Sequence, residues 1–155
     1  MRGALTAKSL PLELETWLQM IRTFWTLQSK VEDSLKKHKL TLAQFDLLAM
    51  LLGLEDLNQQ ELATKLAVTK GNMVGLVNRL SRRGFVKRVP SRKGRRANVI
   101  RLTASGRKLV TAALPDHVDK ISPNLDETAL RPGQIGLARL VDTLKPQQSV
   151  DPMLE

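Results

Sequence analysis

The chain has 155 residues, 42% of them apolar and 26% charged, with a formal charge of +10 and no cysteine. That mixture suits one globular domain with a single core, while the absence of cysteine excludes a disulfide framework, a thiolate metal site and a thiol redox switch. No run approaches the roughly 18 consecutive apolar residues of a membrane helix, and "MRGALTAKSLPLELE" lacks the apolar stretch of a secretory signal, so a cytoplasmic protein with no membrane partner is expected.

The first predicted element is a long helix, Leu12 to about His38. Leu14, Trp17, Ile21, Phe24, Val31 and Leu35 fall at alternating three- and four-residue steps through polar Gln28, and Leu18 and Trp25 widen the stripe. An apolar face this broad has two things to cover, its own domain and something else. Core packing is the expectation for both tryptophans.

Three shorter helices follow, predicted over 42–53, 59–67 and 70–82. Thr41 with Gln44 and Asn58 with Glu61 are capping boxes, each flanked by a hydrophobic staple, Leu40 with Phe45 and Leu57 with Leu62. Thr69 caps the third, and Gly53 and Gly84 suit C-terminal ends. Only Ala67, Val68 and Thr69 separate the second from the third, so the two cross steeply as a helix-turn-helix.

On the third of these helices Met73, Leu76, Val77 and Leu80 form the core stripe. The opposite side presents Gly71, Asn72, Gly75, Asn78, Arg79 and Arg82, with no acid and, by this reading, no large apolar group. Amides able to bridge the donor and acceptor of an adenine edge, cations for phosphates, and glycines permitting close approach are what a helix in a major groove requires.

"FVKRV" and "ANVIRL" then read as β-strands around a loop, Pro90 to Arg96, longer than packing demands. Arg88, Arg92, Lys93, Arg95 and Arg96 crowd this hairpin. From 62 to 115 there is no Asp or Glu but 14 Lys or Arg, whereas the remainder of the chain carries a net −4. Charge so concentrated attracts a polyanion, through release of its condensed counterions. The hairpin is therefore read as a wing whose tip enters a neighbouring minor groove, where narrow segments favour arginine.

After the wing, Thr103 caps another helix, with Leu109, Val110, Ala113, Leu114, Val118 and Ile121 as its apolar positions; Pro115 and Pro123 are expected to kink or break it. A final helix is predicted from about Pro132 to Leu144, before a terminal tail. The fold class is mainly α with a small β-hairpin wing.

Enzyme chemistry finds no footing. His38 and His117 lie far apart and are expected to be solvated or capping; no carboxylate neighbours them at ligand spacing, and "TASGRK" has the wrong glycine spacing for a phosphate loop. No cofactor or metal is implied. The alternative functions are an RNA-binding protein, which would want exposed aromatic stacking residues near the basic surface, and a non-specific architectural winged-helix protein.

Residues 40 to 110, with "NQQELATKLAVT", "NRLSRRGFVKR" and the wing followed by "IRLTASGRKL", closely resemble the winged-helix core of the multiple antibiotic resistance regulator (MarR) family. The resemblance implies a single domain over 1–155: a DNA-binding lobe at 40–103 and dimerisation helices at 12–38 and 104–145. It implies a homodimer on a palindromic operator, most often a repressor released by a small, commonly aromatic, ligand. Its DNA-contacting set here would be Thr69, Lys70, Gly71, Asn72, Gly75, Asn78, Arg79, Arg82, Arg88, Arg92, Lys93, Arg95 and Arg96, and its ligand pocket would draw on Trp17, Ile21, Phe24 and Trp25. Two positions depart from the family pattern: Gly94 stands where the wing commonly has Asp before two arginines, and Gly75 where the recognition helix often has a long polar side chain.

Overall fold

In the computed structural model, which describes residues 10–54, 56–91, 98–121 and 126–144, the elements are α1 (Leu12–Lys36), α2 (Leu42–Gly53), β1 (Leu57–Asn58), α3 (Gln59–Lys65), α4 (Lys70–Arg82), β2 (Val86–Pro90), β3 (Asn98–Leu102), α5 (Ala104–Ile121) and α6 (Glu127–Leu144). The mainly α-helical class with a small hairpin is as expected. The chain forms two units, Met1–Ile121 and Ser122–Glu155.

Side chains start the helices of the first unit. Both capping boxes are made: Thr41 accepts from the Gln44 amide and Asn58 from that of Glu61, while each third residue reaches back to the cap's own N–H. Thr69 accepts from the Asn72 amide at 3.2 Å, and Thr103 from that of Gly106 at 3.0 Å.

The helix ends share a device that the sequence shows at only one of them. Leu40, Val68 and Phe85 donate to the carbonyls of Leu35, Ala63 and Leu80, closing three terminal turns of the same kind. The residue before each donor is left-handed: Lys39 at φ 54, Ala67 at φ 51 and Gly84 at φ 73. Gly84 fulfils its expected role. Gly53 ends α2 as expected but without a left-handed turn, because Leu54 continues in an extended conformation.

The core gathers Leu35, Leu40, Phe45, Leu48, Leu62, Met73, Leu80, Val86, Ile100 and Val110 around the crossing of α2, α4 and α5. The sheet order is β1-β3-β2, both pairings antiparallel. Strand β1, absent from the sequence reading, is two residues long, too short for a periodic pattern, and follows a left-handed Asp56 that is tied to Arg101 of β3.

Prolines interrupt less than expected. α5 continues through Pro115, which lies on the exposed side with Thr111, the residue whose carbonyl loses its donor; Val110, Ala113 and His117 on the other side are buried. Pro123 lies outside the described residues. In the second unit α6 begins at Glu127, ahead of Pro132, with Leu130 donating to the Asp126 carbonyl at 3.0 Å, and it leaves Leu130, Ile135, Leu137, Leu140 and Val141 exposed.

α1 packs against α5 and α2. Only its C-terminal portion is core, through Val31, Ser34 and Leu35. Trp17 and Trp25 are 57% and 61% exposed, which overturns the expectation that they fill the core. The apolar stripe is real, but its N-terminal half extends beyond the lobe. His38 and His117 also depart from expectation. His38 Nε2 stands 2.7 Å from Asp116 Oδ2, whose other oxygen meets Lys37, and His117 is buried against the Phe45 ring, 4.2 Å between centroids. The first tie binds the end of α1 to α5. Among the described residues no helix is long and apolar enough to cross a membrane.

Candidate nucleic-acid interface

The four-residue link Leu66–Thr69 brings α4 across α3, and its left-handed Ala67 makes the bend. α4 then buries Met73, Leu76, Val77 and Leu80 and turns Gly71, Asn72, Asn78, Arg79 and Arg82 to the outside, as its periodicity predicts. Lys70 and Thr69 are exposed at its start, where the Thr69 hydroxyl is engaged in capping.

One large apolar residue belongs to this face after all: Val74 is 45% exposed. It lies one turn before Asn78 and three residues after Gly71, so the helical repeat sets it among the outward residues rather than in the core stripe. Gly75 is half-buried, and a Cβ there would come 3.3 Å from the Arg79 guanidinium, so that arginine lies back over the glycine. Gly71 has open space before it.

β2 brings Arg88 to the flank of α4. Val86 fills the core, and two residues along the same side of the strand Arg88 reaches out of it toward the helix-turn-helix. Its Nη2 donates to Asn78 Oδ1 at 2.7 Å and its Nε to Gln59 Oε1 at 3.4 Å. Gln59 is the first residue of α3, and nothing in its local sequence pattern distinguishes it from any polar residue behind a cap. Arg83, by contrast, is exposed but folds away from this face, donating to Gln44 Oε1 at 3.1 Å and lying 4.8 Å over the Phe85 ring.

The hairpin register, from Val86 opposite Leu102 to Pro90 opposite Asn98, carries the strands to the base of the tip. Arg92, Lys93, Gly94, Arg95 and Arg96 lie outside the described residues. The described surface is thus a continuous basic face of α4 and β2. No acidic residue lies within either element, and no group of three His, Cys, Asp or Glu able to hold a metal occurs among the described residues. The pocket candidates sit apart from it on α1: Trp17, Phe24 and Trp25 are exposed, with Phe24 and Trp25 edge to face at 5.4 Å, and Ile21 is half-buried.

Comparison with known proteins agrees with this architecture. A family model described as MarR family matches residues 38–97. An uncharacterised HTH-type transcriptional regulator of Bacillus cereus is 33% identical over 102 residues, covering 66% of this chain and 67% of that protein. Among solved structures, CouR from Rhodococcus jostii RHA1 bound to p-coumaroyl-CoA gives a TM-score of 0.77 at 22% identity, over 90% of this chain and 98% of that one. The S. aureus MepR–DNA complex gives 0.64 at 22% identity, over 88% of this chain and 100% of that one. With its winged helix-turn-helix and a relative matched over two thirds of that relative's length, the chain belongs to the MarR family and is a DNA-binding transcriptional regulator.

Proposed function

We propose that the protein works as a homodimeric repressor on a palindromic operator and is released by a small aromatic ligand. The observation that carries the dimer is the uncovered apolar side of α1. Leu14, Trp17, Leu18, Phe24 and Trp25 are all more than 40% exposed, and Leu114 and Val118 add to them from α5. A contiguous apolar surface of this size in water calls for a cover, and a second copy related by a two-fold axis offers the same surface in return. Two winged lobes so joined would meet half-sites about one DNA turn, ~34 Å, apart.

Each α4 would then enter a major groove with Asn72, Val74 and Asn78 toward base edges, and Lys70, Arg79 and Arg82 toward phosphates. Arg92, Lys93, Arg95 and Arg96 would follow the adjacent minor groove. The MepR complex contains DNA and CouR holds an aromatic acyl thioester, which supports both a duplex partner and an aromatic effector for this chain. Trp17, Ile21, Phe24 and Trp25 would line the effector site once the second copy closes over α1. The ligand acts by favouring a lobe spacing that misses successive grooves.

Light scattering of the purified protein, followed by sequencing of the genomic fragments it retains with and without a panel of aromatic acids, tests this reading. A dimer that enriches one palindromic motif and loses it to an aromatic acid is expected. A lone subunit, or equal retention of all fragments, refutes it. Arg95→Ala and Arg96→Ala should each reduce the salt dependence of operator binding by about one counterion; unchanged slopes would remove the wing tip from the contact.

A further inference from the structure

Asn78 is the outward amide nearest the wing, and its geometry decides what it can read. A free asparagine bridges adenine because its oxygen accepts from N6 while its nitrogen donates to N7. In this structure the oxygen is engaged: Arg88 Nη2 donates to Asn78 Oδ1 at 2.7 Å. Chemistry fixes that orientation, since a guanidinium has five donors and no acceptor and only the amide carbonyl can face it.

The arginine is itself held from a second side. Its Nε donates to Gln59 Oε1 on α3 at 3.4 Å, and its backbone lies in the β2–β3 ladder opposite Ile100. Strand, α3 and α4 thus converge on one guanidinium. Both of its side-chain partners among the described residues are neutral carbonyls, and a cation donating to the Asn78 carbonyl strengthens the amide N–H groups as donors.

We propose that Arg88 is a positioning residue that locks Asn78 with its nitrogen outward, converting an adenine reader into a donor that selects guanine, the base whose major-groove edge offers two acceptors, O6 and N7. This rests on the reading that α4 enters the major groove, and it makes Arg88, one of the hairpin cations, a determinant of specificity through Asn78.

Selection from random duplex DNA by the full-length protein tests it, with wild type, Asn78→Ala, Arg88→Ala and Arg88→Lys compared and thermal melting measured on each. The base pair read by Asn78 is the one whose preference Asn78→Ala abolishes. Wild type should favour G·C there by about five-fold or more. Arg88→Ala releases the amide and should shift that single pair to A·T in a protein that still melts cooperatively and keeps its base preferences at the other positions of the motif. Arg88→Lys keeps a donor with no acceptor but loses the two-armed fork, so it should hold the G·C preference more weakly than wild type and more strongly than Arg88→Ala. An A·T pair at that position in wild type, or a preference that both Arg88 substitutions leave unchanged while all sequences weaken alike, would overturn the inference. A wild-type protein that selects no motif at all would instead sink the reading of α4 as a base-contacting helix, and this inference with it.

Discussion

Gly106 of α5 packs directly on the backbone of Phe85: a Cβ at position 106 would collide with the Phe85 carbonyl oxygen and come 2.8 Å from its carbonyl carbon. The same carbonyl accepts from the Thr103 amide at 3.0 Å and from its hydroxyl at 3.2 Å, so the end of the helix-turn-helix, the wing and the start of α5 meet at one point. Backbone atoms cannot move aside as a flexible side chain can. Gly106→Ala should therefore destabilise the fold by about 1–3 kcal/mol, seen as a lower denaturation midpoint. An unchanged midpoint would mean that the junction is looser than this contact implies.

Gly71 gives the opposite case. Nothing lies within 4 Å of where its Cβ would be, and alanine is favoured over glycine in a helix by up to about 1 kcal/mol. Gly71→Ala should raise the melting temperature yet weaken operator binding, because the added methyl stands on the outward face of α4. Stronger binding together with higher stability would show that this face does not approach a ligand closely.

Ala67 bears backbone strain in the turn of the helix-turn-helix. At φ 51 it occupies the left-handed region, which costs a non-glycine residue about 1–2 kcal/mol, partly offset by the smaller entropy loss of alanine on folding. Ala67→Gly should stabilise by about 0.5–1 kcal/mol and raise the melting temperature by about 1–4 °C. Ala67→Val, with a β-branched side chain, should lower it. Thermal melts of the two variants against wild type check both signs.

What could be read in advance follows from which features are local. Capping boxes at Thr41 and Asn58 depend on residues three apart, and the stripe of α4 on a helical repeat; both are as the sequence implies. The terminal turns at Lys39 and Ala67 use the same geometry as Gly84, but without glycine nothing marks them in the sequence. Pro115 reads as a break and Pro132 as a helix start because propensity is local, whereas packing along the other side of α5 keeps that helix whole and α6 begins a turn earlier. Trp17 and Trp25 satisfy an apolar period equally well whether they face the chain's own core or another surface. The bond between Asn78 and Arg88 joins residues on different elements and required the hairpin register.

His117 supplies a pH dependence near neutrality. Burial against Phe45 holds its pKa below the ordinary histidine value of 6.5, since desolvation disfavours the imidazolium. In the unfolded chain the ring takes up a proton near 6.5; in the folded chain it does so only at lower pH. The unfolded state thus binds more protons in that interval, and stability is full above about 6.5 and lost as pH falls toward the folded value. Neighbouring Asp116 does not titrate in this window, because hydrogen bonds from Lys37 and His38 hold its carboxyl below the usual 3.8; its own contribution is lost only in stronger acid. Urea melts at about pH 7.5 and about pH 5.5 should show wild type losing stability at the lower pH, and His117→Leu losing markedly less. Equal losses in the two proteins would assign the acid sensitivity to another group.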